Sequence, residues 1–166
     1  MKIFKTINFL GFACLLFSCS GSNRELRKKL QEVIINKSNV AITNGEKYSL
    51  LRLSDITDFD WDKFYIFEEY VSKKNITEIT GIEWDGTDVP SGTRRMLFVY
   101  NNKITQYVDF DPSECPVFGF PCGKMEQFEF TKREDLFAVF KRSDKNGYRY
   151  AMVPERCIKT FFENMQ

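Results

Sequence analysis

The segment that most constrains the fold is KFYIFEEYV, residues 63–71, whose first residues are apolar on alternate sides of an extended chain. Phe64 and Ile66 would point to one face of a strand, and Tyr65 and Phe67 to the other. A strand that is apolar on both faces needs packing on both faces. This segment therefore predicts the central strand of a sheet.

Helical signals lie on either side of this β-rich middle. Leucines and other apolar residues recur at helical spacing over residues 23–37, and Ser22 with Glu25 has the S-x-x-E spacing of a capping box. A second, shorter helix is predicted over residues 72–80. A third begins at Pro154, because proline suits the first turn of a helix. In the third helix, one side would carry Ile158, Phe161, Phe162 and Met165.

The other strands are predicted from runs of residues that suit a pleated surface. Residues 95–110 give two strands around Asn101 and Asn102, a pair that tolerates the positive φ of a two-residue hairpin turn. Residues 85–93, with two glycines and a proline, predict a loop. Further strands are predicted at 48–55, 125–131, 135–141 and 148–153. The expected fold is α+β: one domain over residues 23–166, mainly an antiparallel sheet with an N-terminal and a C-terminal helix.

The first 18 residues have the layout of a secretory signal. Residues 1–8 carry two lysines and no acid, and an apolar run from Phe9 to Phe17 follows. That run is too short for a stable membrane-spanning helix, which needs about 20 residues. We therefore expect export rather than a transmembrane anchor.

The run ends in Leu16, Phe17, Ser18 and Cys19, which resembles the lipobox of bacterial lipoproteins. The resemblance implies removal of residues 1–18, acylation of Cys19 and a lipidated tether over residues 19–22. It also implies a cell-envelope location, in the outer membrane or on the periplasmic face of a membrane. Each buried methylene contributes about 0.8 kcal/mol, and several acyl chains on one cysteine give stable anchoring. The alternative is an ordinary signal peptide followed by an unmodified cysteine.

A second resemblance supports the same class of protein. TDFDWDKFYIF, residues 57–67, in which a Trp-Asp pair precedes an aromatic strand, is similar to a pattern in small uncharacterised envelope lipoproteins. Those proteins bring no established activity with them.

Charge and composition argue against several classes of function. Lys and Arg number 24 against 23 acidic residues, so no basic excess indicates a nucleic-acid partner. The chain has no histidine, which excludes Ser-His-Asp and Cys-His catalysis. The basic face of the first predicted helix either contacts anionic lipid, at about 1 kcal/mol per residue, or is simply solvated. It consists of Arg24, Arg27, Lys28 and Lys29.

One group of acids has the spacing of a calcium loop. Asp58, Asp60 and Asp62 follow D-x-D-x-D, and Glu69 falls at the twelfth position. The sixth position is Lys63, where an EF-hand has glycine, and the residues after it predict a strand. We prefer a polar turn before the central strand, with Trp61 closing the edge of the core and no metal or other cofactor bound.

A second group of acids lies next to a tryptophan in GIEWDGTD. Glu83, Asp85 and Asp88 beside Trp84 could form a glycosidase site, in which the indole stacks on a sugar and one acid protonates it. Acids are also common in turns next to glycine. A lipid-anchored, carboxylate-dependent hydrolase of envelope polymers is therefore kept as the alternative function.

The spacing of two cysteines predicts one disulfide bond. Cys115 and Cys122 are separated by six residues that include two prolines and a glycine, which form a stiff bend. In an exported protein we expect these two to form a disulfide worth about 2 to 3 kcal/mol, with free thiols as the alternative. With Cys19 acylated, too few cysteines remain for a four-cysteine zinc site. Cys157 is expected to be buried and reduced.

These observations favour a binding or structural module over an enzyme. Within that class, the more specific function is that of an inhibitor or immunity protein. The membrane lipid would hold the chain through Cys19, and an envelope protein would be its partner. With 17 phenylalanines and seven tyrosines, we also expect some aromatic rings to remain at the surface as contact residues.

Overall fold

The computed structural model describes residues 21–114, 117–118, 129–144 and 147–163. The helices are α1 (Arg24–Thr43), α2 (Lys73–Thr80) and α3 (Ile158–Glu163). The strands are β1 (Ser49–Arg52), β2 (Lys63–Phe67), β3 (Arg94–Tyr100), β4 (Lys103–Phe110), β5 (Val117–Phe118), β6 (Glu129–Thr131), β7 (Leu136–Asp144) and β8 (Gly147–Pro154). Short 3-10 turns span Leu53–Asp55, Lys132–Glu134 and Glu155–Cys157. The predicted α+β fold, with a helix near each end, is confirmed.

The described strands form two four-stranded sheets. Sheet A has the order β1-β7-β8-β5, and sheet B has the order β4-β3-β2-β6. All pairs are antiparallel except β5 and β8, which run parallel. Strand β2 lies between β3 and β6, so the prediction that residues 63–67 form a central strand is confirmed.

Both faces of sheet B are covered by apolar packing, as the alternation in β2 predicts. Phe64 and Ile66 belong to the largest core cluster, which combines residues of both sheets with one side of α1. Tyr65 and Phe67 face a second cluster, in which Ile76 of α2 and the loop before β3 cover the opposite side. A third cluster lies under α3 on the outer side of sheet A.

Several local predictions are confirmed. Helix α2 starts after Ser72, whose hydroxyl accepts from the Asn75 N–H, and ends at Gly81 with φ +68°. Asn101 and Asn102 form the predicted hairpin turn between β3 and β4, with φ values of 49° and 56°. Trp61 is buried in the main core, and its indole N–H donates to the Thr57 hydroxyl.

Helix α1 differs from its prediction at both ends. Its N-cap is Asn23, whose side chain accepts from the Leu26 N–H, so the predicted capping box of Ser22 and Glu25 is wrong. The Ser22 hydroxyl instead accepts from the Asp109 N–H of β4. The helix also continues to Thr43, because the packing of α1 against β1 and β7, with Ala41 buried, compensates for the poor helix formers after residue 37.

The strands differ in extent. The segment predicted as a strand over residues 48–55 leaves the sheet after Arg52, because the carboxylate of buried Asp135 binds the Arg52 side chain at 2.6 Å and the Ser54 N–H at 3.1 Å. The strand predicted at 125–131 is described only as β6, and residues 125–128 lie outside the described part of the chain. Strand β5 was not predicted. Within the described residues, no helix is both long and apolar enough to span a membrane.

Candidate functional site

A groove of about 500 Å³ lies beside the edge strand β4. One wall is the segment 82–85, which follows α2, and the other is the first part of β4, residues 103–107. We call this the β4 groove. Its charged side chains are Glu83, Asp85 and Lys103. Two of the three acids singled out in GIEWDGTD therefore line a concave surface.

A fully buried arginine holds the wall of the groove in place. Arg95 makes a two-point ion pair with Asp109, through Nε at 2.7 Å and Nη2 at 2.8 Å. Its Nη1 donates to the carbonyl of Thr87 at 2.6 Å. The guanidinium carbon lies 5.4 Å from the ring centroid of Trp84 and 4.5 Å from that of Tyr107. Arg95 thus ties the loop after Trp84 to strands β3 and β4.

Trp84 is a wall of the groove but does not present its ring to solvent. The residue is 8% exposed, and its indole N–H donates to the Thr87 carbonyl at 3.0 Å. Gly86 lies so close that a Cβ on it would be 2.1 Å from the indole ring. The ring is therefore enclosed by its own loop, and stacking of a sugar on Trp84 would require the loop to open.

The third acid of GIEWDGTD has a structural position. The carboxylate of Asp88 accepts from the Lys73 N–H at 2.7 Å, at the start of α2, and Asp88 does not line the groove. Glu83, Asp85 and Asp88 are all exposed. Of the three acids, only Glu83 and Asp85 therefore meet at the groove, and Asp88 has no place in a glycosidase site there.

The acids with calcium-loop spacing are also separated. Asp58, Asp60, Asp62 and Glu69 are all exposed. Asp62 accepts from the Asn101 N–H at 2.7 Å and so fastens the β3–β4 turn. Glu69 lies beyond the far end of β2 and accepts from the Gly92 N–H at 2.6 Å. In the described part of the chain, no group of three acids or cysteines is placed to hold a metal ion.

Cys157 differs from its prediction. Its sulfur is disulfide-bonded, so the expectation of a reduced thiol is wrong, whereas the expected burial is confirmed. The other cysteines of the chain, including Cys19, Cys115 and Cys122, lie outside the described residues. The predicted acylation of Cys19 and the predicted bridge between Cys115 and Cys122 both fall there.

The basic face at the start of α1 is partly neutralised. Arg27 pairs with Glu114 at 3.1 Å, and Lys28 lies 3.8 Å from Glu32 on the same helix. Exposed pairs of this kind contribute little to stability, but they lower the positive charge available to anionic lipid.

A polar trio on the second face of sheet B was not predicted. Burial raises the pKa of the Tyr65 phenol, and the hydrogen bond with Glu129 raises it further. The pKa of Lys63 is also raised, first by its hydrogen bond with Tyr65 and also by the charge of Glu129, 3.7 Å away. The register places Tyr65 opposite Glu129, so the trio fastens the short strand β6 to β2. No pattern in the sequence indicates this trio, because residues 63 and 129 are far apart along the chain.

Aromatic side chains mostly fill the core. Among the described residues, the tyrosines with large exposed surfaces are Tyr70 and Tyr148, at 71% and 69%. The expected surface rings are therefore few.

No protein-family model, curated protein or solved structure matches this chain.

Proposed function

We propose that the mature chain is a lipid-anchored protein of the cell envelope that acts as a binding or structural module. The lipobox residues Leu16–Cys19 support the anchor. A role as inhibitor or immunity protein, which blocks another protein by contact, belongs to the same class. In this proposal Cys19 carries the acyl chains, and an envelope protein is the partner.

The choice of a binding module rests on one observation: most of the acids that stand out in the sequence accept hydrogen bonds that hold the fold together. Asp62, Glu69 and Asp88 each accept a hydrogen bond from a backbone N–H of a turn or helix start. Asp109 is held by Arg95. These acids maintain the fold, and the absence of histidine removes the commonest general base.

Labelling with an alkyne fatty acid tests the anchor. Cells that produce the full chain are expected to incorporate the label into the wild type, whereas Cys19→Ala remains unlabelled and retains its leader. Cys14→Ala is the matched control, because it removes another cysteine of the leader and is expected to be labelled normally. Equal labelling of the wild type and Cys19→Ala would refute the proposed anchor.

The β4 groove supports the alternative, a carboxylate-dependent hydrolase of envelope polymers. Glu83→Gln and Asp85→Asn change the charge with little change in size, so they leave the fold intact. In the binding proposal both variants keep the cellular phenotype. An enzyme would lose orders of magnitude in rate from one of them. Complete loss of function in either folded variant, with partner contacts retained, would favour the hydrolase.

A further inference from the structure

Strand β4 is the terminal strand of sheet B, so one of its sides has no neighbouring strand. The chain itself occupies the later part of that side. The Asn23 N–H donates to the Tyr107 carbonyl at 2.8 Å. The Ser22 hydroxyl accepts from the Asp109 N–H at 2.8 Å, and the chain then leaves the strand as α1 begins. The earlier part of the side, residues 103–106, lies in the β4 groove.

The register of the β3–β4 hairpin leaves the backbone of Ile104 on this open side. Ile104 is opposite Val99, whose carbonyl accepts from the N–H of Asp62, just before β2. The backbone groups of Val99 therefore face β2. In an antiparallel pair, a residue opposite such a position points its own backbone groups outward. The Ile104 N–H and carbonyl face the groove, and no described residue bonds to them.

The β4 groove combines apolar side chains with an acidic wall. Ile82 and Ile104 line it from its two sides, and both are half-buried against the second core cluster. Glu83 and Asp85 are exposed on the wall that follows α2, and neither has a hydrogen bond or an ion pair within the described residues. The one base, Lys103, is on the opposite wall. The negative charge is thus concentrated on one wall and is uncompensated there.

We propose that the β4 groove binds an extended segment of a partner protein that carries a basic side chain, and this inference rests on the proposed binding function. The segment would add to the open side of β4 by hydrogen bonds with the Ile104 backbone. Its basic side chain would cross the groove to Glu83 and Asp85, whose charge it complements.

The β-bulge limits how long this added strand can be. The register of β3 with β4 shifts beside Phe98, so Thr105 has no partner in β3. Bulges interrupt regular pairing at the edge of a sheet. Beyond the bulge, the Tyr107 carbonyl already accepts from the Asn23 N–H. The bound segment is therefore short, and the acidic wall supplies most of its specificity.

Other occupants fit this groove less well. A polysaccharide would lack an aromatic platform on which to stack, because the ring of Trp84 is enclosed by its own loop. An anionic lipid surface would be repelled by Glu83 and Asp85. An extended protein segment is the ligand that uses both the free backbone groups and the acidic wall.

Site-specific photocrosslinking in cells that produce the full chain tests the proposal. p-Benzoylphenylalanine replaces Lys103 of the groove in one variant and, as the matched control, Lys159 of α3 in another. Both lysines are exposed, so the fold is expected to be retained, which circular dichroism of the purified variants checks. Position 103 is expected to give a light-dependent adduct with one protein, through a segment that contains lysine or arginine. No adduct at 103, equal adducts at both positions, or a linked segment without a basic residue would each overturn the proposal.

The acidic wall is tested in the same assay. With the crosslinker at 103, Glu83→Lys combined with Asp85→Lys is expected to reduce the adduct about tenfold, because two attractive contacts become repulsive. Asp58→Lys combined with Asp60→Lys is the matched control, since these exposed acids have the same spacing and lie outside the groove. The control is expected to leave the yield unchanged. An unchanged adduct after reversal of the groove acids, or equal losses from both pairs, would refute the role of the wall and with it the proposal.

Neutralising a single acid of the wall has a smaller effect. Glu83→Gln or Asp85→Asn removes one exposed charge contact and leaves the backbone contacts of Ile104. Each variant is therefore expected to lower the adduct about two- to fivefold. A loss of this size is compatible with the cellular phenotype that the binding proposal expects these variants to keep.

Hydrogen exchange tests the added strand. In the purified adduct, the amides of residues 103–107 are expected to exchange more slowly than in the unlinked protein, because the Ile104 N–H becomes hydrogen-bonded. Residues 49–52 of β1, the terminal strand of sheet A, are the control and are expected to exchange equally in both samples. Equal exchange at residues 103–107 as well would contradict the proposed mode of binding.

The proposed function and this inference fail separately. Normal fatty-acid labelling of the wild type without an adduct at 103 refutes binding in the groove and leaves the lipid-anchored binding module standing. An adduct at 103 without labelling refutes the anchor alone. An adduct with an envelope polysaccharide in place of a protein overturns the inference and favours the hydrolase.

Discussion

At the scale of single residues, the least expected feature is the fully buried Arg95. Its guanidinium bonds to both oxygens of Asp109 and lies against the rings of Trp84 and Tyr107, which also contact each other edge to face. A buried charge is tolerated only with such compensation. The wall of the β4 groove therefore depends on one side chain that does not itself line it.

Replacing this arginine should be costly. Arg95→Met is expected to lower the free energy of unfolding by about 3 to 5 kcal/mol, because the Asp109 carboxylate loses both of its hydrogen bonds to the buried guanidinium. Urea denaturation measures the change, with Lys74→Met on exposed α2 as the control. A double variant, Arg95→Met with Asp109→Leu, is expected to be more stable than Arg95→Met alone. Equal stability of the two would contradict the role of the ion pair.

A second residue-scale prediction concerns pH. Partial burial raises the pKa of Glu134, but hydrogen bonds from Thr131 and the contact with Arg156 outweigh burial and hold the pKa below its ordinary value of 4.5. Because the folded pKa is lowered, the stabilising contribution is complete above about 4.5 and is lost as the pH falls through the folded value. Glu134→Gln is expected to cost about 1 kcal/mol at pH 7.

Denaturation at a series of pH values measures this dependence. The stability difference between the wild type and Glu134→Gln should be constant near neutrality and shrink at acid pH. A difference that grows on acidification would show that the sign is wrong. Glu78→Gln, an exposed residue of α2, controls for the general effect of removing one negative charge.

At the scale of elements, the local signals of α2 and β2 were read correctly from the sequence and the capping signal of α1 was not, whereas contacts between distant strands could not be predicted. Ser72 and Gly81 mark the ends of α2 by their own chemistry, and the alternation of residues 64–67 places β2 in the centre of a sheet. Glu83 and Asp85 were noticed, but the opposite wall of the groove comes from β4, about twenty positions further along. Nothing local indicates that the two segments meet.

The Arg95–Asp109 pair shows why contacts between strands could not be predicted from the sequence. Counting outward from the Asn101–Asn102 turn places Arg95 opposite Val108. The observed partner is Asp109, because the register shifts by one residue at a bulge beside Phe98. A single inserted residue thus changes which side chain faces the arginine. The sequence carries no clear signal for that bulge.

The same hairpin gives a prediction at this scale. Asn102 has φ +56°, which β-carbon-bearing residues adopt at a cost and glycine adopts freely. Asn102→Ala is expected to destabilise the protein by about 1 kcal/mol, and Asn102→Gly to be neutral or stabilising by a few tenths of a kcal/mol. Thermal denaturation of both variants measures this. If alanine were tolerated as well as glycine, the left-handed turn would not limit stability.

The disulfide of Cys157 is also an element-scale question. With Cys19 acylated as proposed and Cys14 removed with the leader, Cys115 and Cys122 are the remaining candidates for its partner. We therefore expect one of these two to bond Cys157, which would leave the other as a free thiol and replace the bridge between Cys115 and Cys122 predicted from the sequence.

Peptide mapping without reduction identifies the bond. A linked pair of peptides is expected, one containing Cys157 and the other either Cys115 or Cys122, with the remaining cysteine of these two alkylated as a free thiol. A loop closed only between Cys115 and Cys122 would contradict the bond at Cys157 altogether.

At the scale of the whole molecule, α1 gives the fold a direction. Its first residue follows a segment fastened to β4, and its 20 residues correspond to about 30 Å between its ends. A lipid on Cys19 would lie close to the start of this helix and far from its last turn. Attachment to a membrane would therefore leave the far end of the helix accessible to a partner.

Fractionation of cells tests attachment of the whole protein. The wild type is expected to stay with membranes through high salt and alkaline carbonate and to be released by detergent, since acyl chains rather than charges hold it. Cys19→Ala with the leader removed by genetic fusion to a cleavable signal is expected in the soluble fraction. Release of the wild type by salt alone would indicate an electrostatic association instead.

The hydrogen bonds of Ser22 and Asn23 to β4 also set the freedom of an anchored molecule. They would leave only Ser20 and Gly21 between an acyl group on Cys19 and the folded body, which is about 10 Å of chain. So short a connection would keep the start of α1 close to the bilayer surface. Encounters would then be limited to partners that also lie near that surface.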